Sequence, residues 1–303
     1  MSELQVGLVV DKASKQIPLT QLILQAGHRV ACHWVLSSAQ IPQLAEPQIW
    51  LLDISSDYEG ESSLVDELLN QDQVPVLLID STEAVSFDDQ AIWMKRTQQR
   101  LVQLIGDIEL HKQKAATQCW VLAASTGGPA AVIEFIQALP NHLSLAFIYI
   151  QHIDPMQSES LARSLNKNSH YSCEVAEDGA VLAAGKVLLI ASKERVEVLP
   201  NKTLCIHKDN FWNGDYAPSI NQVVANIAHI YKQFCGLIIF TGMGDDGAAS
   251  CRLLSQQGGT VWAQSPESAT SDSMPNAAIA TQCVSFTGTP EQLAQALVAR
   301  HNL

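Results

Sequence analysis

The sequence predicts an α/β protein made of two doubly wound domains, each with a mostly parallel sheet between two layers of helices. Two observations lead to this fold class. Short aliphatic runs alternate with longer segments whose apolar residues recur at the helical period, which is typical of parallel βα units. The chain also has 303 residues, 47% of them hydrophobic, which is enough to fill two cores.

The first third of the chain supplies the first set of alternating elements. Its strand-like runs are LQVGLVV, QIWLLDIS and VPVLLID, and its helix-like segments are IPLTQLILQAGHRV and SSLVDELLNQ. The stretch GDIELHKQKAATQ at 106–118 is polar and has no β-branched aliphatic residue after Ile108, which indicates a linker. We therefore assign residues 1–110 to the first domain, 111–118 to the linker and 119–303 to the second domain.

The same alternation resumes after the linker. The strand-like runs are CWVLAAS, LAFIYIQ, GKVLLIA, GLIIF and GTVWAQ, and the helix-like segments are PAAVIEFIQAL, SINQVVANIAHIYKQF and CRLLSQQ. This pattern predicts a second doubly wound sheet.

Composition excludes several classes of function. The net charge is −13, and the 18 Lys and Arg residues form no basic cluster, which argues against a nucleic-acid or anionic-membrane surface. No apolar run approaches the roughly 20 residues that span a bilayer, and no signal-like segment is present, so we expect a cytoplasmic protein without direct membrane insertion. The seven cysteines are scattered and form no CxxC pair, which predicts small core residues rather than disulfides or zinc ligands. We expect no cofactor.

Three strand-like runs of the second domain end in side chains that could act together. Ser125 follows CWVLAA, His152 follows FIYIQ, and Asp245 and Asp246 lie in TGMGDDG after GLIIF. The carboxyl ends of parallel strands share one edge of a sheet, so these residues can meet there. A serine hydroxyl becomes a nucleophile when an imidazole accepts its proton, and a carboxylate fixes the tautomer of that imidazole. The sequence therefore predicts a Ser-His-Asp triad in which either aspartate could be the third member.

The turn STGGP suits such a site. Gly127 and Gly128 let the backbone approach closely, and Pro129 suits a first helical turn whose free N–H groups face an anion. Each element also has a structural interpretation: Ser125 could cap the helix, His152 could lie in a loop, and the two aspartates could form a turn with a helix cap. Their joint position at strand ends favours the functional interpretation.

Five ordered segments resemble the catalytic domain of the chemotaxis protein-glutamate methylesterases, the CheB family. They are AASTGGPAAV, FIYIQHIDP, AEDGAVLAAGKVLLIA, FTGMGDDGAA and GGTVWAQSPESATSDSMPNAAIA, and the resemblance covers roughly residues 118–300. It implies that Ser125 is the nucleophile, His152 the general base and Asp246 the orienting carboxylate, with Asp245 at a variable position. It also implies that backbone groups near Thr126 and Met243 bind the oxyanion and that Met243 lies near the nucleophile.

The resemblance further implies the reaction and the partners. The family hydrolyses glutamate methyl esters, and often deamidates glutamine, on methyl-accepting chemoreceptors, through a glutamyl-serine ester. A chemosensory histidine kinase would be a second partner. Two segments depart from the family pattern: APSIN at 217–221 stands where Arg-Pro-Ser-x-Asp is usual, and ASKERV at 191–196 where Ala-Pro-Gly-Gly is usual. These departures are expected to change substrate preference rather than the class of reaction.

The first domain resembles the flavodoxin-like receiver domain of response regulators. Asp53 lies where a receiver accepts a phosphoryl group, and Asp11 matches the first acid of the pair that helps to hold Mg²⁺. Lys12 stands where the second acid is usual, which weakens a magnesium site at Asp11 and Asp53. Asp80 replaces the usual Thr or Ser, and AIWMK resembles a fifth strand that ends in Lys95 but follows too soon for a normal helix. A shortened, degenerate receiver is therefore expected.

Three functional hypotheses follow. The leading one is a serine methylesterase that is constitutively open or controlled by protein contact. The second is a weakly active or inactive chemosensory adaptor that binds receptor or kinase, which the two altered segments favour. The third, a general small-ester hydrolase, lacks support because the chain has no lipase-type G-x-S-x-G elbow at Ser125.

Overall fold

The computed structural model describes residues 4–36, 47–55, 58, 63–70, 74–81, 93, 96–97, 100–101, 113–140, 143–167 and 169–301. The chain divides into two compact units, residues 1–108 and 109–303. Among the helices in these ranges, none is long and apolar enough to cross a membrane.

The first unit contains a four-stranded parallel sheet in the order β2-β1-β3-β4. Its described elements are β1 (Gln5–Val10), α1 (Gln16–Gln25), β2 (Arg29–Val35), β3 (Ile49–Asp53), α2 (Ser63–Asn70) and β4 (Val76–Ile79). The two central strands, β1 and β3, are almost completely buried, as their continuous aliphatic sequences predict.

Two sequence predictions for the first unit were wrong. The sequence predicts a helix that continues to Val30, but the helix ends at Gln25 and β2 begins at Arg29. Gly27 ends the helix because it adopts a positive φ of 83°. The predicted fifth strand AIWMK contains Trp93, which is helical; Lys95 lies outside the described residues. Trp93, Thr97 and Leu101 recur at helical spacing, and Thr97 and Leu101 are buried.

The second unit contains a seven-stranded parallel sheet in the order β13-β12-β11-β5-β6-β8-β7, and an antiparallel pair, β9 and β10. Its described elements are β5 (Gln118–Ala124), α3 (Gly128–Gln137), β6 (Leu145–Gln151), α4 (Ser158–Asn166), β7 (Ser172–Val175), β8 (Lys186–Ile190), β9 (Glu194–Val198), β10 (Leu204–Phe211), α5 (Ile220–Tyr231), β11 (Cys235–Ile239), α6 (Ala248–Gln256), β12 (Thr260–Gln264), α7 (Ser273–Ala280), β13 (Phe286–Gly288) and α8 (Pro290–His301).

Helices cover both faces of this sheet. Alternate residues of β5 enter opposite cores: Val121 packs with residues of α5, α6 and α7, whereas Leu122 packs with residues of α3, α4 and α8. Strands buried on both faces are typical of three-layer parallel folds. The predicted α/β fold class is confirmed.

The cysteines behave as predicted for core residues. All seven are free, and five are buried: Cys119, Cys173, Cys205, Cys235 and Cys251. Burial raises the pKa of the Cys173 thiol to about 12, so this sulfur stays protonated at neutral pH.

The order of strands in the second sheet defines where a site is expected. The chain leaves β5 towards β6 and β8, and later returns to the other side of β5 to form β11, β12 and β13. Open parallel sheets bind ligands outside the carboxyl ends of their strands, at the point where the strand order reverses. The carboxyl ends of β5, β6 and β11 meet this condition.

Candidate active site

Ser125 lies directly after β5, held through its backbone by both neighbouring strands. Its N–H donates to the carbonyl oxygen of Thr241 at 3.1 Å, after the end of β11. Its carbonyl oxygen accepts from the side-chain amide of Gln151, the last residue of β6, at 2.9 Å. These bonds fix the Ser125 backbone and leave its hydroxyl for chemistry.

The two positions after Thr126 must be glycine because the packing around the nucleophile leaves no room for a side chain. Gly127 has a φ of 80°, and a Cβ atom there would lie 2.5 Å from Cβ of Thr270. A Cβ atom on Gly128, the first residue of α3, would lie 2.5 Å from Oε1 of Gln151. A larger residue at either position would therefore push the turn away from the sheet edge.

His152 follows β6 beside Ser125. Its N–H donates to the carbonyl oxygen of Ala124, which ends β5, at 3.2 Å. Its ring nitrogen Nε2 lies 3.1 Å from Oδ2 of Asp246 and 3.0 Å from the carbonyl oxygen of Pro218. Since both of these neighbours only accept hydrogen bonds, Nε2 carries the ring proton and Nδ1 keeps the lone pair. Nδ1 is therefore the basic nitrogen.

Asp246 is buried and has three donors around its carboxylate. Besides His152, the backbone N–H groups of Ile220 and Asn221 donate to it, at 2.7 and 3.0 Å. Both belong to the first turn of α5, where free N–H groups and the helix dipole favour a negative charge. The carboxylate is thus held in one orientation against the imidazole.

The neighbouring aspartate has a different position. Asp245 is exposed, and its Oδ1 accepts a hydrogen bond of 2.9 Å from the hydroxyl of Tyr216. The Tyr216 ring stacks on the imidazole of His152 with centroids 5.5 Å apart and planes 8° apart. Of the two candidate aspartates, the structure brings Asp246 to His152. Tyr216 was missed by the sequence reasoning, because a tyrosine in the segment after β10 belongs to no recognisable motif.

The two remaining residues predicted at the site are Thr126, which directly follows Ser125, and Met243, which follows Gly242 in the TGMG loop. Thr126 and Met243 are exposed, and within the described part of the chain neither N–H donates a hydrogen bond. Gly242 packs closely on Ser125, because a Cβ atom there would lie 2.8 Å from Cβ of the serine. The TGMG loop therefore passes beside Ser125, as an oxyanion site requires.

No hydrogen bond joins Ser125 Oγ to His152 among the described residues. The two side chains are placed by adjacent strand ends, since Ala124 pairs with Gln151 in the register of β5 and β6. Catalytic hydrogen bonds are often long in a free enzyme and shorten when substrate binds.

A methyl group on Gly242 should displace the nucleophile. In Gly242→Ala the new Cβ atom would overlap Sδ of Met274 and press on Ser125, so we expect hydrolytic turnover to fall by about 10²-fold or more. Steady-state kinetics would measure the loss. The matched control is Gly185→Ala, a glycine with a positive φ and no atom within 4 Å of the new Cβ, which should keep its activity. Equal activity of both variants would contradict the placement of the TGMG loop.

The first unit holds the other predicted residues. Asp11 directly follows β1, Asp53 ends β3, and both are buried, with the side chain of Lys15 between them. Lys12 is exposed, and Asp80 directly follows β4.

Comparison with known proteins decides the family. A family model described as CheB methylesterase matches residues 120–297, which is more than half of the chain. The chain belongs to the CheB methylesterase family. The resemblance of the five segments in the second domain to the CheB catalytic domain is thereby confirmed.

Relatives in the CheB family agree with this result. The protein-glutamate methylesterase/protein-glutamine glutaminase 1 of Pseudomonas fluorescens (strain Pf0-1) is 33% identical over 159 residues, which cover 52% of this chain and 47% of that protein. A protein of the same activity name from the group 3 operon of Rhizobium meliloti (strain 1021) is 31% identical over 178 residues, covering 59% and 50%. This chain thus spans about half the length of the curated relatives it matches.

A solved CheB structure has the same fold as the second unit. The CheB methylesterase catalytic domain of Thermotoga maritima is 26% identical and superimposes with a TM-score of 0.57. The superposition covers 60% of this chain and 97% of the Thermotoga domain.

One segment that departs from the CheB pattern lies against the candidate triad. Pro218 contacts the His152 ring through its carbonyl oxygen, and Asn221 donates its backbone N–H to Asp246. The Asn221 side chain accepts a hydrogen bond from the N–H of Ser250 at 2.9 Å, at the start of α6. The amide oxygen of Asn221 accepts this bond as a carboxylate oxygen would. The backbone N–H that donates to Asp246 is therefore held in place although residue 221 is not an aspartate.

The other departing segment lines an open cleft. Residues 191–194 border a cavity of about 630 Å³ together with Asp154, Met156 and Phe211. Asp154 lies two residues after His152 in the sequence. Met156 and Phe211 are 91% and 61% exposed, so this cleft presents apolar side chains to solvent.

Proposed function

We propose that this protein is a protein-glutamate methylesterase that hydrolyses glutamate methyl esters on a chemoreceptor, with Ser125 as nucleophile, His152 as general base and Asp246 as orienting carboxylate. The main observation in support is that Nε2 of His152 lies 3.1 Å from the buried carboxylate of Asp246, at the sheet edge where Ser125 follows β5. The names of the curated relatives support the substrate class and include deamidation of glutamine.

The first half of the reaction transfers the acyl group to the enzyme. Ser125 Oγ attacks the ester carbonyl carbon while its proton passes to Nδ1 of His152. The tetrahedral intermediate collapses, the C–O bond to methoxide breaks, and the imidazolium returns its proton so that methanol leaves. The product is a glutamyl ester of Ser125.

The second half regenerates the serine. Water attacks the glutamyl ester, gives a proton to Nδ1 of His152, and the acyl bond to Ser125 Oγ breaks as that proton returns to the serine. The receptor glutamate leaves as a carboxylic acid, which ionises at neutral pH. In both halves Asp246 holds the imidazole and stabilises its positive charge.

The backbone N–H groups of Thr126 and Met243 are the proposed oxyanion donors. Thr126 directly follows Ser125 in the turn before α3, and Met243 follows Gly242, the residue of the TGMG loop that packs on Ser125. Removing a single donor of this kind costs about 10² to 10³ in rate.

We assign Tyr216 a positioning role for His152. Its ring stacks on the imidazole and its hydroxyl is held by Asp245, so Tyr216→Ala should lower kcat by about tenfold, the size of one aromatic contact. Tyr216→Phe keeps the ring and should stay within about threefold of the parent. Parallel measurements of kcat and KM would show the loss in kcat. Equal kcat values for Tyr216→Ala and the parent would contradict this role.

The partners are part of the same proposal. A methylated receptor helix is the proposed protein substrate, and a chemosensory histidine kinase is a further proposed partner because the first unit has a receiver-like strand order. A cytoplasmic location is also proposed, supported by seven cysteines that all carry free thiols, the usual state in a reducing compartment.

Release of methanol from a methylated receptor signalling fragment tests the proposed function. We expect release by the intact protein and none above background with Ser125→Ala. A parent protein that binds the fragment but releases no methanol would contradict the esterase and favour the adaptor hypothesis.

A further inference from the structure

The acidic site of the first unit already contains a cation of its own. Nζ of Lys15 lies 2.9 Å from Oδ1 of Asp11, 3.0 Å from Oδ1 of Asp53 and 2.7 Å from Oγ of Ser55. The contacts to Asp53 and Ser55 are hydrogen bonds, and the contact to Asp11 is an ion pair. The Lys15 and Asp11 side chains are 8% and 1% exposed, and that of Asp53 is fully buried.

The local backbone directs Lys15 into the site. The residues after β1 form a 3₁₀ turn, Ala13–Lys15, in which the N–H of Lys15 donates to the carbonyl oxygen of Lys12. Lys15 is thereby placed one helical turn after Asp11 and directly before α1. Lys12, the residue at the position of the second acid of a receiver, remains exposed.

Backbone N–H groups around the site also donate to both carboxylates. The N–H of Ser55 donates to Oδ2 of Asp11 at 2.9 Å, and the N–H of Ser81 donates at 3.0 Å to Oδ1 of Asp53, the oxygen that Lys15 also contacts. Oδ2 of Asp53 is buried and has no hydrogen-bond partner among the described residues. Both carboxylates are therefore oriented towards the ammonium by the loops that follow β3 and β4.

The protonation states agree with a buried ion pair. Burial raises the pKa of Asp11, but hydrogen bonds from Ser55 and Lys15 outweigh it and lower this pKa to about 2. Burial lowers the pKa of Lys15, but its bonds to Asp11 and Asp53 outweigh this effect and raise the pKa above its usual value. Lys15 and Asp11 therefore keep their charges at neutral pH.

These residues do not fit the magnesium ion that a receiver domain would hold. Mg²⁺ needs oxygen ligands at about 2.0–2.1 Å in an octahedral arrangement. The ammonium of Lys15 lies between the two carboxylates that would supply them, and it repels a divalent cation. Among the residues that the structure describes, no group of three or more His, Cys, Asp or Glu side chains could hold a metal ion.

We propose that Lys15 is a permanent internal cation of the first unit, which replaces Mg²⁺ between Asp11 and Asp53 and keeps Asp53 from accepting a phosphoryl group. The contacts of Lys15 join the turn after β1 to the end of β3. This assignment concerns the first unit alone and is independent of esterase activity.

Metal-dependent unfolding of the full-length protein tests the assignment. We expect no change in the melting temperature of the parent on adding MgCl₂. Lys15→Met leaves two buried carboxylates without a cation, and its first unit should melt more than about 10 °C lower, because breaking a buried ion pair is strongly destabilising. Added MgCl₂ should restore part of this loss in the variant.

Matched variants at the neighbouring lysine give the control. Lys12→Met removes an exposed lysine and should melt close to the parent, with no response to MgCl₂. Lys12→Asp/Lys15→Ala supplies a third carboxylate and removes the internal cation, so its response to MgCl₂ should be larger than that of Lys15→Met.

An experiment with a phosphodonor tests the proposal on the parent protein, even if Lys15→Met does not fold. The parent is incubated with acetyl phosphate and MgCl₂ and the mass of the Asp53 peptide is measured. No added phosphoryl group is expected. A phosphorylated Asp53, or a melting temperature of the parent that rises with MgCl₂, would overturn the proposal.

Discussion

Replacing Ser125 with alanine is expected to lower the turnover of methyl-ester substrates by at least about 10⁴-fold. The hydroxyl is the proposed attacking group, so its removal leaves His152 without the nucleophile that it activates. The fold should be unaffected, because the bonds that hold this position come from the backbone N–H and carbonyl groups of Ser125. Methanol release and the melting temperature of the variant would be measured together.

The control for Ser125→Ala is another serine whose hydroxyl bonds only locally. Ser164 donates to the carbonyl oxygen of Ser160 within α4, on the surface. Ser164→Ala should therefore keep both activity and stability. A Ser125→Ala variant that retains more than about a tenth of the parent's turnover would exclude Ser125 as the nucleophile.

Replacing Asp246 with asparagine should lower turnover by about 10⁴-fold and also destabilise the second unit. Three N–H groups point at the carboxylate, from His152, Ile220 and Asn221. An amide places an NH₂ group against at least one of these donors, which leaves a buried donor without an acceptor and costs about 1–3 kcal/mol. The imidazole would lose its fixed tautomer and its countercharge.

The adjacent aspartate provides a control for Asp246→Asn. Asp245 is exposed and contacts Tyr216 rather than His152. Asp245→Asn keeps an oxygen acceptor for the tyrosine hydroxyl, so turnover should stay within about tenfold of the parent. Comparable losses in Asp245→Asn and Asp246→Asn, with intact folds, would contradict the assignment of Asp246 as the orienting carboxylate.

The parallel fold could be predicted because its strands are buried on both faces. A strand such as β5 must be apolar at every position, which produces the continuous run CWVLAA. In each helix that connects two parallel strands, apolar residues recur at the helical period. The positions of Ser125 and His152 follow directly, because the carboxyl ends of parallel strands share one edge.

Two segments of the first unit could not be predicted in the same way. The strand β2 lies at the edge of its sheet, where its residues are only partly buried, so RVACHWV lacks a continuous aliphatic pattern. The segment that contains Trp93 is short and apolar, and such runs do not separate helix from strand by periodicity.

Some site residues could be identified only from the three-dimensional structure. The choice between Asp245 and Asp246 depends on which carboxylate faces the first turn of α5, about 25 residues earlier in the sequence. The role of Lys15 depends on burial, although its spacing of four residues from Asp11 was a usable signal. Sequence reasoning considered only Lys12, because it compared single positions with a receiver pattern.

Labelling with a fluorophosphonate tests the central claim most directly, because such a reagent modifies serines that a neighbouring base has activated and needs no knowledge of the receptor. Peptide mapping of the labelled full-length protein should find the adduct on Ser125, and His152→Ala should lose it while remaining folded. A folded protein that is not labelled at Ser125, or a His152→Ala variant labelled as fast as the parent, would contradict the proposed triad.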